Sequence, residues 1–202
     1  MEELTDIRKR ILEAAFDAFM EKGYAGTSTL EIATRAKVSK RDLYANFASK
    51  QAILSECIAH RSRSRMGFPQ EMPDFQDRAG LEALLIEFGR IQLTEILDPA
   101  PIHMFRLAIS EVARAPEVAQ ILAEQGRGPV IDTMRRIVVK AQAKGILKPG
   151  SVPERVAIYF SLMFRGELMD LVMGLHEPPD AEDIRNRAKL AAELFLKLYE
   201  SK

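Results

Sequence analysis

"STLEIATRAKVSKRDLYANF", residues Ser28 to Phe47, is the stretch on which the reading of this chain turns. It holds two serines, Ser28 and Ser39, each followed at the third place by an acidic residue, Glu31 and Asp42. In that arrangement the hydroxyl can accept from the third residue's backbone N–H, while the carboxylate reaches back to the serine's own N–H. Each pair therefore opens a short helix. The first is read with Leu30, Ile32, Ala33 and Ala36 facing inward, the second with Leu43 and Phe47 inward. Only Lys37 and Val38 separate the two, which makes a helix-turn-helix pattern.

Working outward, Ile7, Ile11, Leu12, Ala15, Phe16 and Phe19 keep a 3–4 spacing, so an amphipathic helix precedes the pair and ends near Lys22-Gly23. Behind the pair, Ser49 caps a fourth helix carrying Ala52, Ile53, Glu56, Cys57 and His60. Cys57 shares the apolar side with Ile53, the place of a buried structural thiol rather than a reactive one. The first three helices form a unit of roughly 45 residues, close to the lower size for folding alone. The fourth helix is expected to tie it to the rest of the chain.

In a helix-turn-helix the second helix enters the major groove and its outward side chains meet base edges. Once Leu43 and Phe47 are turned inward, Lys40, Arg41, Asp42, Tyr44 and Asn46 are left to face out. Arg and Lys can donate to guanine O6 and N7, Asn can pair with adenine, and Asp can accept from cytosine N4. Lys50 stands in the first turn of the following helix, where backbone N–H groups favour a phosphate. The same charges would also suit a solvated helix face.

The longer stretch "GYAGTSTLEIATRAKVSKRDLYANFASKQAIL", Gly23 to Leu54, resembles the DNA-binding domain of TetR-family transcriptional regulators. It shows Gly-Tyr, Thr-Ser-Thr, Ile-Ala, Val-Ser, Leu-Tyr, Phe and Ser-Lys in the family's order and spacing. The resemblance implies phosphate contacts at Ser28, Tyr44 and Lys50 and base readers at Lys40, Arg41, Asp42 and Asn46. Two positions depart from the family pattern: Lys37 replaces a turn glycine, and Arg41 replaces a frequent glycine of the recognition helix. A left-handed backbone at Lys37 would cost about 1–2 kcal/mol. "MFRLAISEVARAPEVA", from Met104, is similar to the AefR-like subgroup.

Composition agrees with a folded chain. The 202 residues are 47% hydrophobic and 29% charged, with 29 basic and 29 acidic side chains. That balance is uneven, since residues 35–65 hold eight Lys/Arg against Asp42 and Glu56, a local excess of six. A basic patch on a neutral chain points to a polyanion partner for that segment. No apolar run reaches the roughly 20 residues of a membrane span, and "MEELTDIRKR" lacks the apolar centre of a signal peptide. A cytoplasmic protein is the expectation. A single cysteine and three scattered histidines give no metal site, and no nucleophile, phosphate-loop or metalloprotease motif suggests an enzyme or a cofactor.

All ten prolines fall after residue 65, which places a boundary near "RMGFPQEMPDF", at Gly67, Pro69 and Pro73. The chain divides on this reading into a DNA-binding domain (1–48), a connecting helix (49–66) and a ligand-binding and dimerisation domain (67–202). Downstream the periodicity predicts helices over 81–97, 102–114, 130–143, 153–175 and 181–198, so the whole chain is all-α. The last helix carries an apolar stripe that includes Phe195 and Leu198, and a second one through Leu190 and Leu194. The resemblance implies that the last two helices pair with their copies, and a two-fold homodimer suits a palindromic DNA operator. The same stripes could instead complete a monomeric core.

For a small, largely apolar ligand, candidate lining residues are Phe88, Met104, Phe105, Met134, Tyr159, Met163 and Phe164, with His103 and Arg165 as polar anchors. The seven apolar residues are more simply read as ordinary core, and His103 and Arg165 as surface or interface residues. The resulting expectation is a homodimeric regulator, a repressor released from its operator by a small molecule. The alternative is a DNA-binding regulator controlled by a protein partner.

Overall fold

The computed structural model describes residues 6–65 and 73–201, the side chains of 62–65 excepted. Gly67 and Pro69, the expected boundary, lie outside the described residues; Pro73 begins the next described segment. The helices are α1 (Asp6–Gly26), α2 (Thr29–Arg35), α3 (Lys40–Asn46), α4 (Lys50–Arg65), α5 (Arg78–Ile96), α6 (Pro99–Glu111) and α7 (Glu117–Ile121). A π-helical segment (Leu122–Arg127) follows, then α8 (Gly128–Ala143), α9 (Val152–Phe164), α10 (Glu167–Met173) and α11 (Ala181–Tyr199). The fold is all-α, with no strand among the described residues and one bridge pair, Leu147 with Glu200.

Packing divides the chain into two compact units, residues 1–65 with 103–128, and 66–102 with 129–202. The helix-turn-helix thus shares its unit with residues 103–128, whereas the sequence reading drew contiguous bounds.

In the first unit α1 buries Ile11, Leu12, Ala15, Phe16 and Phe19, the expected stripe apart from Ile7, which is exposed, and its helical geometry breaks at Gly23 (φ 77°, ψ 166°). Ser28 caps α2 through Glu31 N–H, and Ser49 accepts from Ala52 N–H ahead of α4. Ser39 and Asp42 complete a full capping box on α3. At Ser28 only half the box forms: Lys22 Nζ and Arg35 Nη2 lie 2.7 and 3.0 Å from the Glu31 carboxylate and draw it away. Leu30, read as inward, is 60% exposed. It sits in the first turn of α2, on the opposite side from Ile32 and Ala33, which are buried. Cys57 is buried as expected; its Sγ donates to Leu12 O, and burial pushes the thiol up to about 12.

The turn between α2 and α3 does adopt the left-handed conformation, with Lys37 at φ 53°. Lys37 N–H donates to Thr34 O and Val38 N–H to Ala33 O, so the last carbonyls of α2 are satisfied. Lys37→Gly should therefore stabilise the protein by about 0.5–1 kcal/mol, the relieved strain less the extra freedom glycine gives the unfolded chain. Urea unfolding checks this, and a lower midpoint for the glycine variant would show that Lys37 carries no strain.

The second unit is built on α5, α9 and α11. Its core joins Leu81, Leu85, Phe88, Met134, Ile137, Tyr159, Met163, Ala188 and Phe195. Gly89 of α5 faces Ala188 of α11 so closely that a Cβ on it would stand 3.3 Å from the Ala188 Cβ and 2.7 Å from the Tyr159 hydroxyl. That hydroxyl donates to Leu85 O at 2.6 Å, which satisfies the one polar atom of a wholly buried ring. The helix expected over 153–175 is two helices. Arg165 (φ 49°) and Gly166 (φ 81°) are both left-handed and split it into α9 and α10. Apolar periodicity runs straight through this break, so the pattern alone does not reveal it.

Candidate nucleic-acid interface

Box-capped α3 turns Leu43 into the core, and Phe47 just beyond it is buried beneath the Arg8 guanidinium, 4.5 Å from the ring centre. Lys40, Arg41, Asp42 and Tyr44 are then exposed, and Asn46 is half-buried. These side chains are not equally available. Asp42 Oδ2 accepts from both the Ser39 hydroxyl (2.6 Å) and the Ser39 N–H (3.3 Å), which hold its carboxyl below the usual range. Asn46 Nδ2 donates to Asp42 O at 2.8 Å, and its own carbonyl accepts from Arg8. Lys40 and Arg41 remain as the long exposed cations of α3, with exposed Lys37 one turn before it.

Tyr44 shares a 3.0 Å hydrogen bond with the Thr29 hydroxyl at the start of α2 and has the Lys40 ammonium 5.9 Å from its ring centre. Thr29 thus orients Tyr44, a role no sequence pattern indicated. Ser28 is exposed, with Oγ accepting the Glu31 N–H. Lys50, expected to meet a phosphate, is half-buried and makes contacts within its own unit. Its ammonium donates to Tyr24 O (2.8 Å) and Thr27 O (3.0 Å) and lies 4.3 Å from the centre of the Tyr24 ring. Burial lowers its pKa, with Glu111 and Glu117 acting in the opposite direction. The side chain clamps the α1–α2 turn.

Arg35, counted in the basic segment, pairs with Glu21 and Glu31, and Arg61 stacks on Phe16. Among the described side chains of this segment, Lys37, Lys40 and Arg41 are exposed cations.

Of the nine residues suggested for a ligand, His103, Met104 and Phe105 belong to the first unit and the other six to the second. Phe88, Met134, Tyr159 and Met163 are packed core residues of the second unit. Phe164 is half-buried and stacks on Phe160, with centroids 6.1 Å apart and planes 9° from parallel, while Phe160 meets Phe88 edge-on. Arg165 is exposed at the α9–α10 break, and His103 is exposed on α6. On α11, Leu190 and Leu198 are exposed and Leu194 half-buried, whereas Phe195 has no exposed surface to offer a partner. Met169, Met173 and Leu175, in α10 and just beyond it, are more than half exposed.

A family model for the C-terminal domain of AefR-like transcriptional repressors matches residues 83–201, and one for bacterial regulatory proteins of the tetR family matches residues 11–57. The chain is 26% identical over 160 residues to the HTH-type transcriptional regulator YvkB of Bacillus subtilis, spanning 77% of this chain and 78% of that one. It is 29% identical over 119 residues to the HTH-type transcriptional repressor Rv3405c of Mycobacterium tuberculosis, or 58% of this chain and 57% of the relative. Among solved structures it is similar to the flavonoid-responsive regulator FrrA, with a TM-score of 0.82, 29% identity and coverage of 97% and 98% of the two chains. A TetR transcriptional regulator from Agrobacterium tumefaciens shares the fold, with a TM-score of 0.81, 23% identity and coverage of 98% and 97%.

Proposed function

Since this chain belongs to the TetR family of DNA-binding transcriptional regulators, with an AefR-like C-terminal domain, we propose that it is a cytoplasmic homodimeric repressor that a small aromatic ligand releases from a palindromic operator. The exposed cations of box-capped α3 carry the DNA half of this reading. Lys40 and Arg41 are assigned to base edges and adjoining phosphates, and Tyr44, oriented by Thr29, to a phosphate or a thymine methyl. Asp42 and Asn46 act chiefly by holding α3 in shape, and Ser28 keeps the phosphate role its exposed position allows. The dimer face is assigned to α10 and α11, where Met169, Met173, Leu190 and Leu198 are apolar and exposed.

The ligand half rests on the second unit. Stacked, half-buried Phe160 and Phe164 beside fully buried Phe88 and Met163 offer flat apolar surface suited to a planar aromatic compound. Similarity to a regulator named for its response to flavonoids supports the same class. By linkage, a compound that weakens DNA binding must bind the DNA complex more weakly by the same factor. Titrating the operator complex with a flavone should release the DNA. Phe164→Ala should weaken that release by about tenfold, the scale of losing one aromatic contact, while leaving operator affinity alone. A flavone that binds the chain without altering operator affinity would contradict the proposal.

A further inference from the structure

The turn between α1 and α2 is held from outside the helix-turn-helix, and its anchor is Glu111, the last residue of α6. Glu111 is 6% exposed, an unusual place for a carboxylate. One oxygen, Oε1, accepts the Ala25 N–H at 3.1 Å across 86 residues of sequence. The other, Oε2, is buried and accepts no hydrogen bond among the described residues. Room for the carboxylate comes from Gly23, where a Cβ would stand 2.6 Å from Oε1. Gly23 is also the left-handed residue (φ 77°) that breaks α1. A cation that feels the Glu111 charge is Lys50, whose ammonium holds Tyr24 O and Thr27 O of the same turn.

These contacts form a continuous series. Glu111 fixes Ala25, Lys50 fixes Tyr24 and Thr27, and Thr27 Oγ1 donates to Ala18 O and Gly23 O. Lys50 in turn opens α4 only four residues after the end of α3. The turn is therefore pinned on one side to residues 103–128 and on the other to the helix that follows the recognition helix. A core residue needing only volume here would be apolar, because a buried carboxylate with an unsatisfied oxygen costs stability. We propose that Glu111 is a positioning residue for DNA recognition. It sets the α1–α2 turn, and through Lys50 the seating of α3, without touching DNA.

The proposal rests on the reading of α3 as the DNA-reading helix, and the test separates the two. The full chain is used to select a duplex from random DNA, and affinities are then measured for that duplex and for poly(dA-dT). Glu111→Ala should lose about tenfold or more in the ratio of specific to non-specific affinity, the scale of one hydrogen bond to a charged acceptor. Glu111→Gln, which keeps an oxygen for Ala25 N–H, should restore most of that ratio. Glu111→Leu, which keeps the volume but offers Ala25 N–H no acceptor, should behave like Glu111→Ala. It supplies the test if Glu111→Ala fails to fold. In the wild type, hydrogen exchange at the Ala25 amide should be slow. An unchanged affinity ratio in a folded Glu111→Ala or Glu111→Leu protein, or fast exchange at Ala25, would overturn the proposal while leaving DNA binding intact. A wild-type chain that selects no duplex would overturn the DNA reading itself.

Discussion

Replacing Phe195 with alanine should cost the second unit about 3–5 kcal/mol, the usual loss for a large aromatic ring removed from a packed core. The ring is wholly buried, edge-on to Tyr159 with centroids 5.5 Å apart and tilted against Tyr199 at 5.2 Å. Around it Gly89 and Ala188 let α5 and α11 approach too closely for the gap to close by small shifts, so the cavity should persist. Urea unfolding followed by circular dichroism should show a lower midpoint with little change in slope. Leu198→Ala, on the exposed side of the same helix, should leave monomer stability nearly unchanged and weaken self-association instead. The opposite pattern, in which Phe195→Ala dissociates a dimer and spares stability, would mean that α11 faces the other way.

On DNA the largest single loss should come from Arg41→Ala, about 1–3 kcal/mol at particular base pairs for a good bidentate contact. Lys40→Ala should lower affinity more evenly and reduce the salt slope by about one, as loss of a phosphate contact does. Lys50→Ala should act differently from either. Its ammonium is committed to two carbonyls, so the salt slope should barely change. Thermal stability and specific affinity should fall together as the α1–α2 turn loosens. Fluorescence anisotropy across a series of salt concentrations distinguishes the three. A full unit of slope lost on Lys50→Ala would show that the side chain leaves the turn to grip phosphate.

The DNA-reading head was legible because its signals are local. Serine caps, a two-residue turn and apolar spacing all act within about four residues, and α1 to α4 follow them closely. Even the strained Lys37 could be anticipated, since a turn of this kind demands a left-handed residue whatever its identity. What stayed hidden was decided between distant residues. Lys22, nine residues back in α1, drew Glu31 out of its capping box, and Lys50 turned inward to carbonyls more than twenty residues away. Glu111 met Ala25 across most of the first unit's span of sequence. The break at Arg165 and Gly166 was invisible for another reason. Apolar residues on both sides keep helical spacing, and a non-glycine in the left-handed region carries no marker of its own. Phe195 was assigned to a partner face because a stripe of apolar residues does not say which of its members fill the chain's own core.

Selection of duplexes from random DNA by the 202-residue chain, followed by sedimentation of the complex, tests the central claim most directly. The account predicts enrichment of an inverted repeat whose half-sites lie about 34–36 Å apart, one DNA turn, bound in a ratio set by two-fold symmetric pairs of the chain. Enrichment of a single asymmetric half-site by a monomer, or no enrichment above random sequence, would contradict it.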